Sequence, residues 1–149
     1  MLKTIDSFCE EDTMSFAGKL SQEAQKGDVF ALIGDLGVGK TAFAKGFAKG
    51  LGVKEPVVSP TFTFVQAYES GRMPFYHFDA YRIGDVSEME EIGYEDFFYG
   101  EGVSLMEWAD LVEPILPGNV ITITIEKDLS KGADYRKITL ESKDEDNSH

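Results

Sequence analysis

Residues Gly34 to Thr41 read G-D-L-G-V-G-K-T, which satisfies the pattern G-x-x-x-x-G-K-S/T in full. Few sequence features restrict a fold more. The pattern calls for a strand before it, a glycine-rich turn, and a helix after it. Val29-Phe30-Ala31-Leu32-Ile33 supplies the strand as an unbroken apolar run, the mark of a parallel strand buried on both faces. Thr41 to Lys49 supplies the helix, with Ala44, Phe47, Ala48 and Leu51 on one face and Lys45 and Lys49 off it; Gly50 and Gly52 stop it. Gly34, Gly37 and Gly39 let backbone N–H groups turn inward around phosphate oxygens. Lys40 then reaches the β- and γ-phosphates, and the Thr41 hydroxyl holds Mg²⁺. The helix start adds the positive end of its dipole. A nucleoside triphosphate is the expected ligand.

The rest of the chain reads as strands alternating with helices. Lys3 to Phe8 suits a first strand, and Asp12-Thr13 offers an N-cap for a helix carrying Phe16, Leu20 and Ala24 and ended by Gly27. Val57 to Thr61 is a Pro-punctuated linker. Phe62 to Tyr68 and Met73 to Phe78 flank the turn Glu69-Ser-Gly-Arg72, which predicts a hairpin. Asp85 to Glu91 is a short acidic helix or turn. Val103 to Met106 is an apolar strand, and Ala109 to Ile115 a short helix ended by Pro117-Gly118. Val120 to Ile125 and Arg136 to Leu140 close the chain as strands. Together these predict an α/β P-loop NTPase fold, three-layered with a largely parallel central sheet. At 149 residues the chain is read as one domain over 1–140. Residues 141–149 form an acidic tail almost without apolar side chains, expected to be disordered.

Charge narrows the partners. Asp and Glu outnumber Lys and Arg 27 to 14, a net charge of −13. Gripping nucleic acid alone takes a concentrated cationic face. Lys45, Lys49 and Lys54 are a modest one, so a role near RNA should run through another protein. The single Cys9 excludes an internal disulfide and a cysteine metal cluster. No apolar stretch reaches membrane-spanning length, and the N-terminal segment turns acidic where a signal peptide needs its apolar stretch. The expectation is a cytoplasmic protein without membrane contact.

Hydrolysis or transfer needs a carboxylate beside the phosphate loop, and in open α/β sheets ligands sit outside the carboxyl ends of the strands. Two acids stand where such a strand would end. Phe75-Tyr-His-Phe78 runs into Asp79, and Val103-Ser-Leu-Met106 runs into Glu107. Either one could be a plain strand edge. Ser59-Pro60-Thr61 is a switch-like segment or a simple turn. His77 reads more readily as a packed, hydrogen-bonded core residue than as a catalytic one. Trp108 is read as packing before base stacking, and the acidic stretch Asp85–Asp96 as a solvated face before a docking surface. Guanine-specific switches carry Asn-Lys-x-Asp. Asn119 and Asn147 are followed by Val and Ser, which favours ATP.

Taken together, G-D-L-G-V-G-K-T, S-P-T-F-T at Ser59 to Thr63, Y-H-F-D-A-Y-R at Tyr76 to Arg82 and M-E-W at Met106 to Trp108 resemble the bacterial TsaE family. The resemblance runs from about Thr4 to Leu140. It implies a small ATPase needed for threonylcarbamoyl modification of the adenosine next to the anticodon of certain tRNAs. It also implies partners, the TsaD and TsaB proteins, with tRNA reached only through that complex. On the same resemblance Gly37, Val38, Gly39, Lys40, Thr41 and Ala42 bind the ATP phosphates, while Thr41 and Glu107 hold Mg²⁺. Asp79 matches the acid needed for hydrolysis. Glu10 and Thr13 match an N-terminal segment near the base, and Gly132 falls near a further nucleotide contact. Ala42 replaces a Thr often found after the loop.

The mechanism expected is positioning chemistry, with Lys40 and the loop on the phosphates and Asp79 orienting water. None of Arg72, Arg82 and Arg136 has a geometric case from sequence as an arginine finger, so turnover should be slow alone and rise when a partner completes the site. The alternatives are a small-molecule kinase, which would want clustered lid arginines, and a nucleotide-dependent docking module.

Overall fold

The computed structural model describes residues 2–34, 39–57, 65–79, 86–107, 109 and 115–142. Its frame is a seven-stranded sheet. In chain order the elements are β1 (Leu2–Ser7), α1 (Glu10–Gln22), β2 (Val29–Ile33), α2 (Lys40–Leu51), β3 (Val65–Tyr68), β4 (Phe75–Asp79), α3 (Val86–Ile92), α4 (Tyr94–Phe98), β5 (Val103–Glu107), β6 (Ile121–Lys127) and β7 (Arg136–Ser142). The strands lie in the order β1-β7-β6-β2-β5-β4-β3. The four central strands β6, β2, β5 and β4 are parallel. The edges are antiparallel, with β3 folded back on β4 and the β1–β7–β6 ladder on the other side. The parallel reading therefore holds for the centre, where strands buried on both faces need apolar runs.

Each face of the sheet carries its own core. Alternate side chains on one face, Phe30, Leu32, Phe75, Leu105 and Ile123, pack under α1 and α2 with Phe43 and Phe47. On the other face Val29, Ala31, Phe78 and Met106 pack with Met89 and Phe98 of α3 and α4. Helices on both faces of one sheet make the three layers. The helix α4 was not anticipated. Its signal was aromatic rather than amphipathic: Tyr94, Phe97 and Phe98 sit at i, i+3 and i+4, and Phe97 and Phe98 meet Phe78 edge-on at 5.6 and 5.5 Å.

Helices α1 and α2 pack with their backbones close. A Cβ at Gly46 would overlap the Met14 backbone, and one at Gly50 would overlap Gly18 and Ser21. Glycine is required there for room rather than for conformation.

Several boundaries differ from the sequence reading. The helix α1 starts at Glu10 with Cys9 as its N-cap, not at Asp12-Thr13. The Asp12 carboxylate reaches back instead, accepting the Phe8 N–H at 3.0 Å, while Thr13 is buried in the first turn. The same helix stops at Gln22, well before Gly27, which turns the chain at φ 83°. Finally, β7 runs through Ser142, because Glu141 pairs with both Leu2 and Thr122. Strand order thus extends two residues into the segment read as tail. The hairpin forms with β4 starting at Phe75. Ser59–Thr63, Arg82, Trp108, most of Ala109–Ile115 and residues 143–149 lie outside the described residues.

Candidate nucleotide-binding site

The strand β2 ends at Ile33 and α2 begins at Lys40, on either side of the loop in sequence. Gly39 caps α2 at φ 104°, a left-handed conformation that side chains rarely adopt, and its carbonyl accepts the first helical bond from Phe43 at 3.0 Å. Lys40 follows with only 6% of its surface exposed. Its ammonium donates to the Gly34 carbonyl at 2.5 Å. A buried ammonium is costly without acceptors around it, and phosphate oxygens are the acceptors this position suits. Thr41 is exposed in the first turn. Gly37 and Val38 lie outside the described residues.

The two candidate carboxylates come together. In the parallel ladder Glu107 pairs across to Leu32 on one side and to Asp79 on the other. Both acids therefore sit at the carboxyl ends of adjacent strands, on the sheet face covered by α2. Glu107 is buried, with 7% exposure, and Asp79 is half-buried. His77, two residues before Asp79 on the same face, is buried as well. Its ring stacks on Phe75 at 6.0 Å and its Nε2 lies 2.6 Å from Glu107 Oε2. The expectation of a packed, hydrogen-bonded histidine holds, but its partner is one of the candidate metal ligands.

A second wall rises from the N-terminal segment. A cavity of about 220 Å³ is lined by Cys9, Glu10, Thr13, Gly39, Ala42, Asp134 and Arg136. It unites Glu10, Thr13, Gly39 and Ala42, four residues named from sequence, from two different helices. Thr13 is held from behind. Ser7 donates its one hydroxyl hydrogen to the Cys9 carbonyl at 2.9 Å, so Thr13 is the donor in its own 2.7 Å contact with Ser7. The Thr13 oxygen keeps lone pairs for a ligand.

Gly132 stands at φ 120° in the turn before β7 and is not part of the cavity wall. That side of the wall is Asp134 and Arg136, which sequence reasoning missed as cavity residues. Their place depends on Ser7 pairing with Arg136 across the β1–β7 ladder, a contact between the two ends of the chain. Arg136 is held at the rim by its own turn, donating to the carbonyls of Ala133 and Tyr135 at 2.9 and 2.7 Å. Behind it Tyr135 donates to the Asp6 carboxylate, and that bond, with some burial, pushes its phenol up to about 12.

Arg72 is elsewhere. Its guanidinium donates to the Ser21, Gln22 and Ala24 carbonyls at the end of α1, at 2.7, 3.1 and 2.8 Å. It is a helix staple, not a finger or a lid residue.

The donor set fits a small hard cation. Thr41, Asp79 and Glu107 offer oxygen only, and no group of three or more His, Cys, Asp or Glu able to hold a metal occurs among the described residues. Mg²⁺ is commonly held this sparsely, by one or two carboxylates plus phosphate oxygens and water. No helix among the described residues is long and apolar enough to cross a membrane.

Residues 8–138 match the family described as threonylcarbamoyl adenosine biosynthesis protein TsaE. The chain is 46% identical over 130 residues to the tRNA threonylcarbamoyladenosine biosynthesis protein TsaE of Bacillus subtilis, covering 87% of this chain and 79% of that protein. It is 38% identical over 115 residues to the protein of the same name from Treponema pallidum, covering 77% and 84%. In structure it is similar to the crystal structure of YdiB from Bacillus subtilis, with a TM-score of 0.80, 39% identity, and 96% and 88% of the two chains covered.

Proposed function

Because this chain belongs to the TsaE family of tRNA threonylcarbamoyladenosine biosynthesis, we propose that it is a Mg²⁺-dependent ATPase acting there through a TsaD–TsaB complex. One observation carries the reading. The register Leu32–Glu107–Asp79 sets two carboxylates at the ends of parallel strands on the face of α2, whose first residue is the buried Lys40.

In this reading Lys40 leaves the Gly34 carbonyl for the β- and γ-phosphates, helped by the N–H groups of the loop and of Gly39 to Ala42. Thr41 and Glu107 hold Mg²⁺, which neutralises charge developing on the phosphate oxygens when bound. Asp79 orients the attacking water. Glu10, Thr13, Asp134 and Arg136 form the wall for the nucleoside end, with the Thr13 lone pairs as acceptors. Among the described residues, Arg136 alone of the arginines is at the cavity, and its guanidinium is tied to its own turn. With no further arginine placed at the cavity among the described residues, this reading expects slow hydrolysis that speeds up when a partner supplies charge. The position of Arg72 also removes one of the arginines a kinase lid would use.

The test is phosphate release from ATP with Mg²⁺, by the chain alone and with TsaD and TsaB added. Slow basal release, raised by the pair and abolished in Asp79→Asn, is the expected result. Release that ignores the pair, or phosphate passed to an added metabolite, overturns the proposal in favour of a kinase.

A further inference from the structure

Two buried side-chain atoms lack a hydrogen-bond partner among the described residues, Ser104 Oγ and His77 Nδ1. A hydroxyl without a partner is a small defect. An imidazole is a larger one, since a ring with one polar nitrogen unmatched costs stability that a phenyl ring would not. His77 is 1% exposed and stacked on Phe75, in a position where Phe would fill the same space. Packing alone does not account for a histidine here.

Its other nitrogen does. A carboxylate only accepts, so Nε2 carries the hydrogen and donates to Glu107 Oε2 at 2.6 Å. The bond occupies one oxygen of a carboxylate that is itself nearly buried, and fixes the side chain's rotamer. Oε1 is left for a ligand. The ring is anchored in turn by the Phe75 stack and by the β4–β5 register, in which His77 pairs with Leu105, two residues before Glu107.

The geometry points to His77 as a positioning residue that aims Glu107 at the Mg²⁺ of the bound nucleotide. It touches neither substrate nor metal. This inference rests on the ATPase reading above, and it concerns how tightly the metal is held rather than the chemistry. Removing a hydrogen-bond partner behind a metal ligand costs about 10–100-fold in metal affinity.

The experiment titrates Mg²⁺ into wild type, His77→Phe and His77→Gln at fixed fluorescent ATP analogue, reading nucleotide binding rather than turnover. Phe keeps the stack and removes the donor; Gln carries an N–H donor at nearly the reach of Nε2. His77→Phe should need about 10-fold more Mg²⁺ or worse, His77→Gln should recover most of the loss, and metal-free nucleotide binding should be the same in all three. Equal Mg²⁺ dependence in His77→Phe and wild type overturns the inference, as does His77→Gln failing as badly as His77→Phe. If wild type itself shows no Mg²⁺-dependent binding, it is the ATPase reading that fails.

A second measurement does not need the variants to fold. The chain has two histidines, so ring nitrogen resonances of the full chain are assigned by His149→Ala. In ATP-loaded wild type, the His77 Nε2–H signal should shift when Mg²⁺ is added. A signal that stays fixed while Mg²⁺ binds overturns the inference.

Discussion

At the amino ends of the parallel strands, polar groups mostly meet partners that cost little to satisfy. Arg72 joins the hairpin to the last carbonyls of α1 through its guanidinium and to the Leu51 carbonyl at the end of α2 through its N–H, at 2.8 Å. Gly27 donates to Gly102 at 2.8 Å and Val103 to Pro74 at 2.9 Å, tying the loops beneath the sheet. The carboxyl ends are built differently. There a buried ammonium donates to the Gly34 carbonyl, a buried carboxylate leans on a histidine, and that histidine has a nitrogen unmatched among the described residues. One end has its polar groups satisfied within the fold, and the other holds groups that the proposed ligand would satisfy. Groups held at a cost are expected where binding recovers it.

The contrast makes opposite demands on substitution. The largest effect belongs to Lys40→Ala: phosphate release should fall by about 10²-fold or more, while unfolding free energy moves by no more than about 1 kcal/mol. A variant that lost stability and kept turnover would break the comparison at its centre. Arg72→Ala should do the reverse. Losing charge-assisted bonds to three carbonyls should cost about 1–2 kcal/mol in denaturant unfolding, with turnover per folded molecule unchanged. Loss of activity beyond the unfolded fraction would mean that the hairpin communicates with the site.

The smallest effect sharpens the boundary between the two ends. Tyr135 lies behind the cavity wall, and its phenol is pushed up to about 12 by the bond to Asp6. The folded state thus holds the proton more tightly than the unfolded chain. The stabilisation is fully present below about pH 10 and is lost as pH rises through the folded value near 12. Phenolate absorbance of wild type minus Tyr135→Phe should show that late titration, and Asp6→Asn should bring it down toward 10. If Asp6→Asn leaves it unchanged, the hydrogen bond is not the cause.

Local and periodic features were legible in the sequence. The apolar run of β2, the loop pattern and the glycine stop of α2 each depend on neighbours within a few residues, so the strand–loop–helix unit could be read directly. Asp79 and Glu107 could be read as strand-end acids, but not that the register makes them neighbours. Where a side chain looked past its own element, sequence misled. Asp12 resembled an N-cap because its type suits one, whereas its carboxylate serves the start of α1 from inside the first turn. Arg136 and Asp134 were unreadable as cavity residues, because only the pairing of the first strand with the last brings them to α1. The resemblance to a known family had already named Glu10 and Thr13, which no local pattern could have done.

The glycine seam between α1 and α2 bears on how a ligand is received. Glu10 and Thr13 ride on one helix, Gly39 and Ala42 on the head of the other, and together they frame the cavity. Since Gly46 and Gly50 let the two backbones pack closely, those walls are carried on one tightly packed helix pair. On the proposed ATPase reading, a nucleotide would meet an aperture already set, and little of its binding energy would go into drawing the walls together. A single methyl group at Gly46, which is not among the cavity-lining residues, would push on the Met14 backbone and reset that aperture.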